Sequence, residues 1–422
     1  MRRFLAIWSS QSASVIGTAL TAFAINIWVA QRLYPRPDQK PELAFALSAL
    51  TVASTLTVFL APIAGAWADR HDRRRTMVGM DLASGVLGIA IALLLSSGRM
   101  GLLPLVGLVF AYTALSQFHR LALDASYATV VPPSQLPRAN GMMQTTFALS
   151  GIVAPALAAF LIGLPSVGWL AAGAPLAVAA DAATFLLSAG ALALTPIPSP
   201  ARIGADRPSL WRDAGFGFGY ILRRRPLLWL LAAFTAANFA GTFVTVYLPL
   251  LVRFNLAAPG LTFSDALALL TSVGSIGGLL GGAAVSAWGG LRNRRILGVL
   301  VPLIFLGAGQ LAFGLSRSLY LAAAMLAVQF AAGPVANAHS HAIWQGQVPP
   351  ALQGRVFAVR RLIAQFTAPA GAALAGWAGA AFNPGTVVAV LGVALAVFCL
   401  GLLFSQSLHR VEDRAWLDSL AL

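Results

Sequence analysis

Few residues in this chain could do chemistry, and most of them stand inside apolar sequence. His119, Arg120 and Asp124 fall within one hydrophobic run, 101–130, and Asp181 sits near the middle of another, 168–195. An ionisable side chain in such a place is expensive unless it is paired or wetted, so each is a candidate for function. Arg120 and Asp124 are four apart and share a helical face. They allow either a self-neutralising ion pair or a carboxylate that exchanges a proton or cation. Asp181 could hydrogen-bond a neighbouring group such as Thr184, or take part in the same exchange. Asp81 is expected to pair with one of Arg73–Arg75.

Other chemistries are poorly served. His339 and His341 are two apart and cannot share a helical face as zinc ligands at i, i+4 do, so no metal is expected. The single cysteine, Cys399, excludes an internal disulfide and any CxxC site. "GSIGGLLGG" (274–282) has no strand before it and no GK[ST] after it, so it reads as a small-residue helix face. A membrane-embedded transferase would need converging acids or histidines such as a DxxD pair, and the apolar runs hold none. No enzyme and no cofactor are expected.

The elements that must position these groups are membrane spans. Of 422 residues, 58% are hydrophobic and 10% charged, against about 25% charged in soluble proteins. Runs long enough to cross a bilayer, about 20 residues each, fall at roughly 4–30, 43–67, 76–97, 101–130, 139–163, 168–195, 226–252, 262–288, 296–315, 318–347, 356–381 and 385–407. The first imitates a signal peptide, but its apolar stretch runs on through Trp28 and Val29, beyond a typical h-region. It is expected to stay as span 1. The expected organisation is a six-span bundle over 1–195, a cytoplasmic linker over 196–225, a second bundle over 226–407 and a tail over 408–422. Within the linker, "GFGFGYILRRRP" reads as a juxtamembrane helix on the inner leaflet.

The net charge of +15 would suggest nucleic acid in a soluble chain. Here the cations sit between spans instead. With the N-terminus inside, 21 Lys and Arg fall on the cytoplasmic side and six outside, with Arg120 inside a span. That asymmetry places both termini in the cytoplasm, where the arginines meet anionic inner-leaflet lipids; a cell (inner) membrane is the expected location. No nucleic-acid partner is expected, and a monomer is.

The halves echo each other. Val131-Pro132-Pro133 and Arg138 recur 217 residues later as Val348-Pro349-Pro350 and Arg355. "AWADRHDRRR" between spans 2 and 3 recurs as "AWGGLRNRR" between spans 8 and 9. The offset also sets His341 against Asp124 and Asn337 against Arg120. Parallel six-span repeats point to a binding site near the midplane between halves that rock on each other.

Gly65, Ala68, Asp69, Arg70, Asp72, Arg73 and Arg74 match G-x-x-[AS]-D-R-x-[GD]-R-[RK] between spans 2 and 3. With twelve spans in two halves, the chain resembles the major facilitator superfamily: an all-α integral membrane fold of two pseudo-symmetric six-helix bundles. "FAINIWVA", "LPRANGMMQ", "AADAATFLLSAGAL" and "VPPALQGRVFAVRR" resemble its macrolide-efflux and enterobactin-exporter branch. The resemblance implies that Asp69 latches the first half to the start of span 11, at Gly354-Arg355-Val356, with Arg360 and Arg361 a turn on. The same loop arginines, Arg70, Arg73 and Arg74, belong to that gate. It implies a cavity lined by spans 1, 4, 7 and 10, offering Gln11, Ser14, Asn26, Tyr112, Gln117, Asn238, Tyr247, Gln329, Asn337 and Trp344. These few charges and several aromatics suit an amphipathic organic molecule.

The span-5 antiporter signature G-x8-G-x3-G-P-x-x-G is met by Gly141, Ser150, Ala154, Pro155 and Ala158, small throughout but glycine only at the first. Span 4 reads Arg120-Leu121-Ala122-Leu123-Asp124 where the antiporter pattern is R-x-x-Q-G. The implied function is a secondary active exporter of drug-, macrolide- or siderophore-like molecules, working by alternating access with proton antiport. An importer or a lysolipid flippase on the same fold is the alternative. Asp124, Arg120, Asp181 and His341 are the candidates for coupling.

Overall fold

The computed structural model describes residues 2–131, 135–166, 171–196 and 210–419. Long helices are the obligatory solution for such a sequence, because lipid offers the backbone no hydrogen-bond partners. They are α1 (Arg2–Trp28), α2 (Lys40–Leu56), α3 (Ala61–Arg70), α4 (Arg73–Ser96), α5 (Leu102–Val130), α6 (Leu136–Gly163) and α7 (Ala174–Leu194). After them come α8 (Leu210–Arg223), α9 (Arg225–Phe254), α10 (Phe263–Trp288), α11 (Leu297–Leu315) and α12 (Leu319–Gln347). The chain closes with α13 (Pro350–Ala381), α14 (Pro384–Leu403) and two short helices, α15 (Gln406–His409) and α16 (Arg414–Ser419).

Span 2 is made of two helices, α2 and α3, joined by a 3-10 turn at Thr57–Leu60. Pro62 explains the break, since it has no N–H to give and its ring displaces the carbonyl one turn back. Eleven of the expected spans are helices long and apolar enough to cross a membrane. The other, span 11, is α13, a 32-residue helix that carries Arg355, Arg360 and Arg361.

The chain divides into two compact units, Met1–Gly204 with Pro259–Ser272 and Ala205–Ala258 with Val273–Leu422. Inside the first, α1 packs on α6 and α7, α4 on α5 and α7, and α5 on α2 and α3. Inside the second, α9 packs on α13 and α14, and α11 on α12 and α14. Gly277 and Gly281 of α10 lie directly on the α12 backbone at Ala327 and Ala331. Counted in spans, each of these first-unit pairings recurs six spans later in the second. The duplication read from short motifs is therefore a duplication of packing. Small residues make it possible, because lipid gives no hydrophobic drive between helices and close van der Waals contact must do that work.

The juxtamembrane helix α8 has a protein partner. Gly217 lets it dock on α13, where a Cβ would stand 2.8 Å from the Arg355 carbonyl oxygen. Tyr220 of the same helix donates to the Gln347 carbonyl at 3.1 Å. The tail also packs, with Leu408, Val411 and Leu417 buried in the core of the second unit.

Candidate functional site

Asp81 departs from its expected place. Six to eight residues along α4 carry it ~9–12 Å from Arg73–Arg75, and its side chain turns inward with no exposure. Its partners come from other helices. Ser188 of α7 donates to Oδ2 at 2.6 Å, and Nδ1 of His119 on α5 lies 3.4 Å from Oδ1. Gln11 of α1 completes the chain by donating Nε2 to the Ser188 hydroxyl at 2.8 Å. Four helices thus converge on one carboxylate.

The convergence has a simple geometric basis. Gln11 is nine residues from the start of α1, Asp81 eight from the start of α4, His119 eleven before the end of α5 and Ser188 six before the end of α7. At 1.5 Å per residue these are depths of ~9–17 Å from helix ends. Matching depths in alternating helices was the signal that sequence reading could have used and did not.

Asp181 forms a second node on α7. Thr21 of α1 donates to Oδ2 at 2.6 Å, and the Tyr112 hydroxyl of α5 donates to the same oxygen. Thr184 donates to Oδ1 at 3.3 Å. Gly17 lies against Asp181 and Thr184 so closely that a Cβ there would strike both side chains. A buried carboxylate accepting this many hydrogen bonds is fully placed by its hosts. The expected link to Thr184 is present, and Tyr112 and Thr21 are the partners that spacing did not reveal.

The remaining coupling candidates lie elsewhere. Arg120 and Asp124 are exposed on α5, with the Arg120 guanidinium 5.4 Å from the centroid of the Phe147 ring. His341 is exposed on α12, and Nη1 of Arg360 lies 3.5 Å from its Nδ1. Its neighbour His339 is a clamp. It accepts from the Leu291 N–H through Nε2 at 2.8 Å and reaches the Val335 carbonyl through Nδ1 at 2.8 Å. Gly290, with a φ of 73°, passes under the ring.

The cavity candidates divide by exposure. Gln11, Tyr112, Tyr247, Gln329 and Trp344 are buried within their own units, Tyr247 donating to the Ala375 carbonyl at 2.7 Å. Asn26 and Gln117 are partly exposed. Asn238 and Asn337 are exposed and donate to the carbonyls of Ala364 and Gly333 at 2.9 and 3.0 Å.

At the gate motif, Trp67 stacks on His71 at 3.8 Å between ring centroids, and Asp72 caps α4 by accepting from the Arg75 N–H at 2.8 Å. Arg73 is buried, and Nε of Arg74 donates to the Leu192 carbonyl at 3.1 Å. Arg70 and Arg361 are exposed, Gly65 is half-buried, and the Arg355 guanidinium lies 5.9 Å from the Phe216 ring. The Asp69 and Arg138 side chains, the Pro132-Pro133 pair and linker residues 197–209 lie outside the described residues. Among the described residues, no group of three His, Cys, Asp or Glu is gathered for a metal ion.

A sequence model described as Major Facilitator Superfamily matches residues 7–372. Macrolide efflux protein A of Streptococcus pyogenes is 24% identical over 374 residues, covering 87% of each chain. The protein of that name from Enterococcus faecalis is 24% identical over 333 residues, covering 77% of this chain and 99% of the relative. Among solved structures, an inward-facing bacterial homologue of the iron transporter ferroportin superposes with a TM-score of 0.71 at 14% identity, covering 96% of this chain and 99% of that one. The fold and the relatives are those of transporters and not of enzymes. With a family match over most of its length and the helical packing described above, the chain belongs to the major facilitator superfamily and is a multi-pass membrane transporter.

Proposed function

We propose that the protein exports small amphipathic organic molecules, macrolide- or siderophore-like, by alternating access driven by proton antiport across a bacterial inner membrane. Both termini face the cytoplasm in this reading, as the arginine asymmetry supports. The similarity to macrolide efflux proteins along 87% of the chain supports efflux of an organic molecule.

The observation that carries the coupling is the pair Asp81–His119. A carboxylate and an imidazole, both buried and 3.4 Å apart, hold a proton-dependent charge balance. With His119 protonated and Asp81 ionised the pair is neutral overall. A further proton on Asp81 leaves a lone imidazolium in a dry place, which is costly unless the helices move. Because Asp81 is on α4, Ser188 on α7 and Gln11 on α1, the cost is felt by three neighbours at once. Asp181, tied to α1 and α5, is the second proton carrier in this reading. Asp69 would close the cytoplasmic gate against the start of α13.

The test is flux of a labelled macrolide and of a catecholate siderophore by the purified chain in liposomes, with and without an imposed pH gradient. Gradient-dependent flux is expected, lost at least tenfold in Asp81→Asn and reduced in Asp181→Asn. Asp69→Asn should slow flux at unchanged expression, and Asp124→Asn, Arg120→Gln and His341→Ala complete the series. Flux indifferent to the gradient would refute antiport.

A further inference from the structure

Arg360 lies ten residues into α13, and its guanidinium reaches across to α12. There Nη2 donates to the Ser340 hydroxyl at 3.1 Å, and Cζ stands 5.2 Å from the centroid of the Trp344 ring. Nη1 faces Nδ1 of His341 at 3.5 Å, long for a hydrogen bond. Ser340 and Trp344 are fully buried, Arg360 is half-buried and His341 is exposed, so the group has a closed floor and an open side.

A guanidinium carries five N–H donors, and among the described residues no carboxylate pairs with this one. Arg361, the charged group beside it, is cationic and adds to the positive field, and the imidazole of His341 brings no negative charge. Snorkelling does not explain the placement. Ser340 is seven residues, ~10 Å, inside the end of α12, and the guanidinium is turned toward it. A tryptophan face and one hydroxyl offset only part of the cost of holding a cation there.

We infer that Arg360, with Ser340, His341 and Trp344, forms an anion site that takes the carboxylate or phosphate of an amphipathic molecule. Ser340 fixes the fork from beneath, leaving the remaining N–H groups to meet two oxygens side by side, as guanidinium does with planar acids. The Trp344 ring holds the cation's other face, and the open side at His341 leaves room for the rest of the molecule. This deepens the export reading and rests on it in calling the occupant cargo: within the amphipathic class, molecules bearing an acid bind here more tightly than their neutral esters.

The test measures binding to the full chain in phosphatidylcholine nanodiscs, with 11-(dansylamino)undecanoic acid and its methyl ester as probes. The wild type should bind the acid about ten- to a hundredfold more tightly than the ester, the range expected for a hydrogen-bonded charge. Arg360→Gln should bring the acid down to the level of the ester and leave the ester unchanged. Arg360→Lys should restore part of the difference, which guards against a folding defect in the glutamine variant. Ser340→Ala should weaken the acid alone. Competition by phosphatidylglycerol in the nanodisc assigns the site to a lipid headgroup, and competition by inorganic phosphate assigns it to a soluble anion. Equal binding of acid and ester by the wild type, or undiminished acid binding by Arg360→Gln, overturns the proposal. No gradient is involved, so loss of gradient-driven flux with acid-selective binding intact would remove the export reading alone.

Discussion

His119 on α5 holds its Nδ1 3.4 Å from Oδ1 of Asp81 on α4, while the other carboxylate oxygen takes the Ser188 hydroxyl at 2.6 Å. The two helices are consecutive and packed on each other, so the pair closes a hairpin from the inside. Neither Arg73–Arg75 nor the Arg120–Asp124 neighbourhood takes part in it. This fully buried acid therefore faces a histidine and a hydroxyl, not an arginine.

That pairing predicts an asymmetry. His119→Ala strands a buried carboxylate beside one hydroxyl, and removing one member of a buried pair costs about 3–5 kcal/mol. Asp81→Asn removes the charge and keeps a hydrogen-bonding group, so it should cost about 1 kcal/mol. The double variant should be more stable than His119→Ala alone, the reverse of what additivity expects. Thermal unfolding of the detergent-solubilised variants decides it. If His119→Ala and the double variant melt together, the pair carries no net charge interaction.

Gly17 supplies the same kind of test at Asp181. A Cβ at Gly17 would stand 2.6 Å from Oγ1 of Thr184 and would press directly on Oδ1 of Asp181. Gly17→Ala should cost about 1–3 kcal/mol by overpacking, despite the better helix propensity of alanine. In an Asp181→Ala/Thr184→Ala background both obstructions are gone, and the same substitution should cost much less. An equal loss in both backgrounds would show that the strain lies elsewhere.

How far the sequence could be read follows from which forces act locally. Span positions were legible, because a lipid-crossing backbone must close its own hydrogen bonds over about 20 apolar residues. The internal duplication was legible too, through Trp67 and Trp288 and through the Val-Pro-Pro strings. Asp81 was misassigned because its sequence neighbours are arginines. A helix places residue i+8 just over two turns away, at ~12 Å along the axis, where only other helices can supply partners. His119 was grouped with Arg120 for the same reason, although adjacent residues sit 100° apart around a helix. One points into the bundle and the other out of it. Hydrogen bonds such as Gln11 to Ser188, 177 residues apart, have no local signal at all. The family resemblance implies a gate position for Arg360, and only the fold brings it to Ser340 and Trp344.

The seam between α11 and α14 gives a third prediction. A Cβ on Gly392 would stand 2.7 Å from the Leu311 amide nitrogen and 2.8 Å from Cβ of Gln310, both on α11. Backbone cannot yield as a flexible side chain does, so Gly392→Val should cost about 3 kcal/mol or more and lower the yield of monodisperse protein. Gly401→Ala on the same helix meets nothing within 4 Å. It should be neutral or stabilise by up to about 1 kcal/mol through helix propensity. Parallel melts of the two variants separate packing from propensity, and equal effects would overturn the seam as the cause.

The last prediction concerns pH and lies outside the spans. Asp413 accepts from the Trp416 backbone N–H at 3.1 Å and from Nη2 of Arg410 at 3.1 Å. These bonds, the Trp416 one foremost, hold its carboxyl below the usual carboxylate value. A folded value that is depressed means that the stabilisation is complete above the unfolded value, about 3.9, and is lost as pH falls through the folded one. The helix Arg414–Ser419, which Asp413 caps, should therefore be indifferent to pH between 6 and 8 and loosen only below about pH 4. Because the Arg410 guanidinium lies 4.5 Å from the Trp416 ring, loosening should change the emission of that tryptophan. The measurement is the difference in fluorescence between the native chain and Trp416→Phe across pH 3–8. In Asp413→Asn the acid transition should vanish. Its survival there would assign the loosening to another group.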